Sequence, residues 1–389
     1  MIQADVAVVG GGIAGAGAAF ELSRSASVVV VEREAQCGHH ATGRSAASFT
    51  LAYGTATMRR LARASRPFLD APPPDFAAYP LLRPRGTLTM ARADQLGRLA
   101  DAFELGRGYA RSLCRLTQAE ALARVPILRP EAVAGAMFEP DAMDLDVHGL
   151  HGGFLAAARR QGTRILCDAG VEAIDHGPDG WTVHTSAGTV RCTILLNAAG
   201  AWADEIARLA RVRPLGLVPK KRTAFLVPLP ETIDARGWPL VDDVGEDFYF
   251  KHESGQLFVS PADATPTAPS DVYADDIDVA VGAERLEQAT TLTVRRVSRS
   301  WAGLRTFAPD GAPVVGPDPD VPDFIWLAGQ GGTGVKTAPA LSRACVALMQ
   351  AGDLPDDLLR TGLTAGDLLP GRLRRSLHLD VTSHDHPAL

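Results

Sequence analysis

The stretch "ADVAVVGGGIAGAGAAFELSRSASVVVVE", residues 4–32, constrains the fold more than any other part of the chain. "ADVAVVG" (4–10) is a valine-rich apolar run of the kind that forms a strand buried on both faces. "GIAGAGAAFELSR" (12–24) is small and apolar with good helix formers, and "SVVVVE" (27–32) is a second buried strand. Gly10, Gly12 and Gly15 fit G-x-G-x-x-G between the first strand and the helix. Their tasks are the tight turn, close approach of a pyrophosphate and close helix–strand packing. The helix N-terminus offers free N–H groups and a positive dipole end to phosphates. Glu32 closes the second strand, where a carboxylate accepts hydrogen bonds from an adenosine ribose and disfavours a 2′-phosphate. This unit points to a dinucleotide other than NADP and leaves NAD and FAD open.

A second glycine-rich loop, "GQGGTGVKTAPA" (329–340), follows the apolar run "FIWLAGQ" (324–330) and opens another helix. "GWTVHTSAGTVRCTILLNAAGAW" (180–202) reads as a hairpin leading into a buried strand and a glycine turn. "TQAEALARVP" (117–126) begins with a capping signal, and "DVHGLHGGFLAAARRQG" (146–162) is a longer helix. "RGTLTMAR", "RTAFLVPL", "EDFYFKHES" and "GQLFVSPA" read as strands of an antiparallel sheet interleaved between these pieces. The expected class is α/β: a Rossmann-like doubly wound domain plus an α+β domain with a mainly antiparallel sheet. The first is assembled from residues 1–82, 146–218 and 302–375, the second from 83–145 and 219–301, with 376–389 as a tail.

Composition narrows the function. At 46% hydrophobic and 22% charged residues, the 389-residue chain has ample core material. Lys and Arg number 39 against 45 Asp and Glu, so no basic field for nucleic acid is visible. No apolar run of about 20 residues suggests a membrane span, and the N-terminus has no basic leader. Cys37, Cys114, Cys167, Cys192 and Cys345 are dispersed without zinc spacing, which reads as reduced thiols in a cytoplasmic protein. His384 and His386 could suggest a metal, but a disordered end is expected and no metal site is assigned. A monomer is the default.

"REAQCGHHATGRSAASFTLAYG" (33–54), "NAAGAW" (197–202), "WAGLRTFAPDGAPVVGP" (301–317) and "GQGGTGVKT" together resemble the FAD-dependent D-amino acid oxidase superfamily, and within it the bacterial D-arginine dehydrogenases. The resemblance covers roughly residues 1–375 and implies that the two glycine loops serve the two ends of one FAD. Ala14 and Gly15 then lie at the pyrophosphate, and Glu32 and Arg33 at the adenosine. Ala41, Thr42, Gly43, Arg44, Ser45, Ala46, Ala47 and Ser48 run along the flavin and its linker. Val171 meets the adenine, and Ala199 and Gly200 close on the nucleotide. Gly331, Gly332, Thr333, Gly334, Val335 and Lys336 line the pyrimidine end, where the helix dipole favours the charge gained on reduction. Some branches attach the flavin through a cysteine near the position of Leu304; with leucine here, FAD is expected to be non-covalent.

The same resemblance implies hydride transfer from the α-carbon of a D-amino acid to flavin N5, giving a 2-oxo acid and ammonia. Arg222 and Arg305 match the family's carboxylate-binding arginines, suited by their two-pronged donors. Tyr249 matches an assisting phenol, Tyr53 a lid tyrosine, and the carbonyl of Gly332 an amine acceptor. Thr87, Thr50 and Asp242 are the candidates for the substrate side chain. Thr87 stands where D-arginine dehydrogenase has a glutamate, and Ser48 where it has a histidine, so preference for arginine is in doubt. Asp242 either replaces the lost carboxylate from another wall or is an exposed loop charge. Lys336 replaces a glutamine and either aids oxygen reactivity or is a surface lysine. The oxygen-activating lysine of sarcosine oxidases, near Leu257 and Phe258, is absent. A dehydrogenase passing electrons to a quinone or weakly to oxygen is expected, with a glycine/sarcosine-type amine oxidase as the alternative.

Overall fold

The computed structural model describes residues 1–374; the tail 376–389, with His384 and His386, lies outside the described residues. The strand Ile2–Val9 pairs in parallel with Val28–Val31 on one side and with Gly188–Asn197 on the other. Arg164–Leu166 adds a further parallel strand beyond Val28–Val31. The strand Gly188–Asn197 divides its outer edge. Its first half takes the antiparallel Gly180–Thr185, extended by Val171–Gly177. Its last three residues pair in parallel with Phe324–Ala328, which Val314–Pro317 flanks. All of Val28–Val31 and Phe324–Ala328 is buried, as their unbroken apolar runs require.

The helix Ile13–Leu22 packs between Val147–Arg160 and Gly334–Ala351, and Ala56–Asp70 packs on the last of these. A Cβ at Gly15 would fall 1.9 Å from the carbonyl oxygen of Gly10, so only glycine lets this helix approach the strand that precedes it.

The second sheet runs Arg299–Phe307, Val218–Pro228, Gln256–Ser260, Tyr249–Glu253, Leu240–Asp243, Thr87–Ala91, Gly135–Glu139 and Cys114–Leu116. It is antiparallel except where Leu240–Asp243 meets Thr87–Ala91. Leu88, Phe225, Val241, Phe250, Leu257 and Val259 share one face with Leu286 of the helix Asp276–Ala289 in a single apolar core. Period-two alternation sends their neighbours to the other face. There Thr89, Asp242, Tyr249 and Ser260 stand opposite one another in register across four strands. A small sheet of Ser48–Phe49, Met143–Leu145 and Leu82–Pro84 joins the two halves.

Three expected segment boundaries cut through strands; the one between 218 and 219 parts the first residue of Val218–Pro228 from the rest. Residue 302 falls inside Arg299–Phe307, which pairs with Val218–Pro228 along its whole length and so belongs to the second sheet. Residues 82 and 83 both lie within Leu82–Pro84.

Candidate active site

A cavity of about 460 Å³ runs between the sheets, walled by Gly10, Gly12 and Glu32 from the first and by Arg222, Tyr249 and Arg305 from the second. Its nucleotide end is set by the main chain. The Gly11 N–H donates to Glu32 Oε2 at 2.7 Å and the Glu34 N–H to Oε1 at 3.0 Å, fixing a carboxylate that is only 7% exposed. The Ile13 N–H donates to Thr42 Oγ1 at 3.0 Å, tying the loop after the second strand to the helix start. A backbone-lined cradle at a helix N-terminus, a fixed buried carboxylate beside it and a cavity that continues to the second sheet fit FAD.

Ala14, Arg33, Val171, Ala199 and Gly200 line the cavity, as do Ala41, Thr42, Arg44, Ser45 and Ala46. Three residues of that run do not line it. The Gly43 N–H donates to the Gly38 carbonyl at 2.8 Å, Ala47 is left-handed at φ 46°, and Ser48 pairs with Asp144 in the small sheet. Gly15 packs beneath the loop. Arg44 donates to the carbonyls of Val272 and Ala302, both at 2.9 Å, and pairs with Asp271. Of the second loop, Gly331, Gly332, Gly334 and Val335 form the wall. Thr333 is buried, its hydroxyl donating to the Gln330 carbonyl at 3.0 Å. Lys336 is 3% exposed, so it is no surface lysine, and its ammonium bonds to backbone carbonyls rather than lining the cavity.

At the far end, Arg222 Nε donates to the Asp263 carbonyl at 2.6 Å, and Arg305 Nη2 donates to the Tyr249 hydroxyl at 3.2 Å. Among the described residues neither guanidinium forms an ion pair with a carboxylate. Burial lowers Arg222 from its ordinary value and the neighbouring Arg305 lowers it further, against the pull of Tyr249, Tyr53 and Asp263. Burial would raise the Tyr249 phenol, but Arg305 and Arg222 outweigh it and hold the phenol below its ordinary value. A Cβ at Gly332 would meet Arg305 Nη1 at 2.9 Å, so a side chain there would push this guanidinium from its place.

Tyr53, Thr50, Thr87 and Asp242 are not cavity walls. Tyr53 is 39% exposed; its phenol is raised by burial of its inner part and by Glu246, while Arg305 and Arg222 pull it down. Thr50 Oγ1 donates to Glu139 Oε2 at 2.5 Å. Thr87 is buried and its hydroxyl has no partner. Asp242 lies in a strand, not an exposed loop, directly opposite Tyr249. The residue is half-buried, but its Oδ1 is inaccessible and unpartnered. Burial raises its carboxyl to about 7, with Asp243 and Glu246 adding to the rise and Thr89 opposing it.

The sequence reading did not single out His39, His40 or Trp202, which also line the cavity; His40 packs at a tilt against Trp202 at 4.7 Å between ring centroids. Glu34, His39 and His40 approach closely enough to share a cation, a grouping that their spacing did not reveal. The signal available was only their position within the flavin-lining stretch.

A nucleotide cradle on a parallel sheet, joined by one cavity to a cationic pocket on an antiparallel sheet, defines a flavin-dependent oxidoreductase. The profile of the DAO family, FAD dependent oxidoreductases, matches residues 5–348, and the chain belongs to that family. Glycine oxidase of Geobacillus kaustophilus is 27% identical over 394 residues, spanning 96% of this chain and 97% of that protein. Hydrogen cyanide synthase subunit HcnC of Pseudomonas protegens is 26% identical, spanning 99% of each. The crystal structure of L-proline dehydrogenase from P. horikoshii shares the fold at a TM-score of 0.82 and 21% identity, over 96% of this chain and 99% of that one. The cofactor is FAD. These relatives do not single out the D-arginine dehydrogenase branch expected from the sequence. No helix among the described residues is long and apolar enough to cross a membrane.

Proposed function

We propose that the chain oxidises the amine-bearing carbon of a D-amino acid. The observation that carries this reading is the pair Arg222 and Arg305, two cavity-wall cations without a carboxylate partner among the described residues. Partly buried charges left unpaired are costly, and a ligand carboxylate offsets that cost. Tyr249 accepts from Arg305, which leaves its own O–H to donate to the same carboxylate. With the carboxylate held by the arginines and the amine by the Gly332 carbonyl, the α-carbon is fixed in one orientation. FAD, when bound without a covalent link, supplies the hydride acceptor. The substrate leaves as an imine that water converts to a 2-oxo acid and ammonia. No side chain is assigned as a general base.

The unpartnered Thr87 hydroxyl and Asp242 Oδ1 share the sheet face that carries Tyr249. They favour a substrate with a polar or basic side chain directed along that face. The glycine oxidase relative, matched over nearly its whole length, favours a second reading: a small amino acid or N-methyl amine, with hydrogen peroxide as co-product.

Anaerobic bleaching of the flavin by D- and L-amino acids and N-methyl amines, followed by air, separates the two. Bleaching by a D-amino acid with slow return in air supports a dehydrogenase that uses a quinone or another acceptor. Bleaching by glycine or sarcosine with fast return supports the oxidase. A flavin that none of them bleaches overturns both.

A further inference from the structure

Lys336 is a buried cation that the chemistry above does not use. It lies in the first turn of the helix Gly334–Ala351, immediately after the loop that walls the cavity. Its Nζ donates to the carbonyl of Thr50 at 2.8 Å and to that of Tyr53 at 3.2 Å, and stands 5.6 Å from the Tyr53 ring centroid. Glu139, 2% exposed at the end of the strand Gly135–Glu139, holds the same turn through its donors. It accepts from Thr50 Oγ1 at 2.5 Å, from the Leu51 N–H at 2.8 Å and from the Ala52 N–H at 3.2 Å.

Two opposite charges from different elements therefore hold one four-residue turn, the cation by its carbonyls and the carboxylate by its N–H groups. Neither is in direct ion-pair contact with another residue among those described. Burial pushes the Lys336 amine down to about 8, with Glu139 holding it up and Arg59 pushing it further down. Interior charges of this kind cost stability unless fully hydrogen-bonded, and here the hydrogen bonds all go to the backbone and side chain of one turn. That turn ends beside the second glycine loop, since a Cβ at Gly54 would lie 3.8 Å from Thr333 Cγ2 and one at Gly332 2.9 Å from Arg305 Nη1, and it carries Tyr53, whose phenol lies under the influence of Arg305 and Arg222.

We propose that Lys336 and Glu139 are positioning residues that lock the Thr50–Tyr53 turn beside the loop that touches the carboxylate anchor. The lock ties the turn that carries Tyr53 to the helix that follows the second glycine loop. The proposal rests on the reading of Arg222 and Arg305 as that anchor. It also assigns the Thr50 hydroxyl to Glu139 rather than to a substrate side chain.

The test is made on the flavin-bound enzyme with two readouts. One is hydrogen exchange at the Leu51 and Ala52 amides. The other is the dissociation rate of benzoate, a simple carboxylate probe, followed by flavin absorbance. Lys336→Met keeps the apolar stem and removes the donors; about tenfold faster amide exchange and about fivefold faster benzoate release are expected. Lys336→Gln keeps two N–H donors and recovers most of both rates. Glu139→Gln falls between wild type and Lys336→Met. Wild-type rates in Lys336→Met, or a Gln variant no better than the Met variant, overturn the lock. If Lys336→Met does not fold, wild-type exchange in Glu139→Gln overturns it equally. If benzoate leaves the wild-type flavin spectrum unchanged, the anchor reading fails, while amide exchange still decides the lock.

Discussion

Arg222 and Arg305 illustrate how a residue acquires a task from what is missing around it. Several arginines of the chain pair with carboxylates, as Arg44 does with Asp271 and Arg343 with Asp357, whereas these two cavity-wall arginines hydrogen-bond only to a carbonyl and a phenol among the described residues. Replacing either by Met should lower the second-order rate of flavin bleaching by roughly 100-fold, about 3 kcal/mol, with FAD retained; stopped-flow mixing checks this. Asp242 makes two predictions. Asp242→Ala should shift the relative bleaching rates of basic against apolar D-amino acids, and unchanged ratios would remove it from the side-chain site. Its carboxyl is raised from 3.8 to about 7 in the fold. The neutral acid is therefore the favoured buried form, and its contribution to stability is complete below pH 3.8 and lost as pH rises through about 7. Thermal melts of wild type against Asp242→Asn should diverge across that window, wild type losing at most about 1.4 kcal/mol per pH unit.

At the scale of elements, the β-α-β unit was legible because its strands are fully apolar and its glycines have fixed steric duties. Gly15→Ala forces the helix Ile13–Leu22 away from the Gly10 carbonyl, since no backbone adjustment short of separation relieves a 1.9 Å approach. Loss of bound FAD and a fall in stability on the order of 2–3 kcal/mol are expected, measured by flavin content after gel filtration and by denaturant melts. The second sheet was legible as alternation, and alternation also decides which face meets the cavity. What the alternation did not reveal was register. The row Thr89, Asp242, Tyr249 and Ser260 exists only because four strands align at those positions. The strand Arg299–Phe307 was divided between two domains because its sequence runs on towards the first sheet, while its strand pairing is with the second.

At the scale of the molecule, the cavity lies between two sheets, each built from distant segments, so FAD held there would touch both. Removing FAD should lower the melting temperature, and excess FAD should raise stability by about 2.7 kcal/mol at 100 times its Kd. A thermal scan against FAD concentration measures this, and a melting temperature independent of FAD would contradict the bridging role. The resemblance carried the family and the cofactor correctly, and the structure places Arg222 and Arg305 on the wall of one cavity. The narrower likeness to D-arginine dehydrogenases already broke down at Thr87 and Ser48, and the relatives found do not single that branch out.

The sequence by itself determined the nucleotide cradle and the two-sheet class, because glycine spacing and apolar periodicity act over short distances; FAD rather than NAD came from the family resemblance. Only the tertiary structure decided the fates of Lys336, Glu139 and Asp242. Nothing local distinguishes a lysine that caps two carbonyls nearly three hundred residues away from one that reaches into solvent. Burial and partner choice for a charge are set by elements that meet only when the chain is folded.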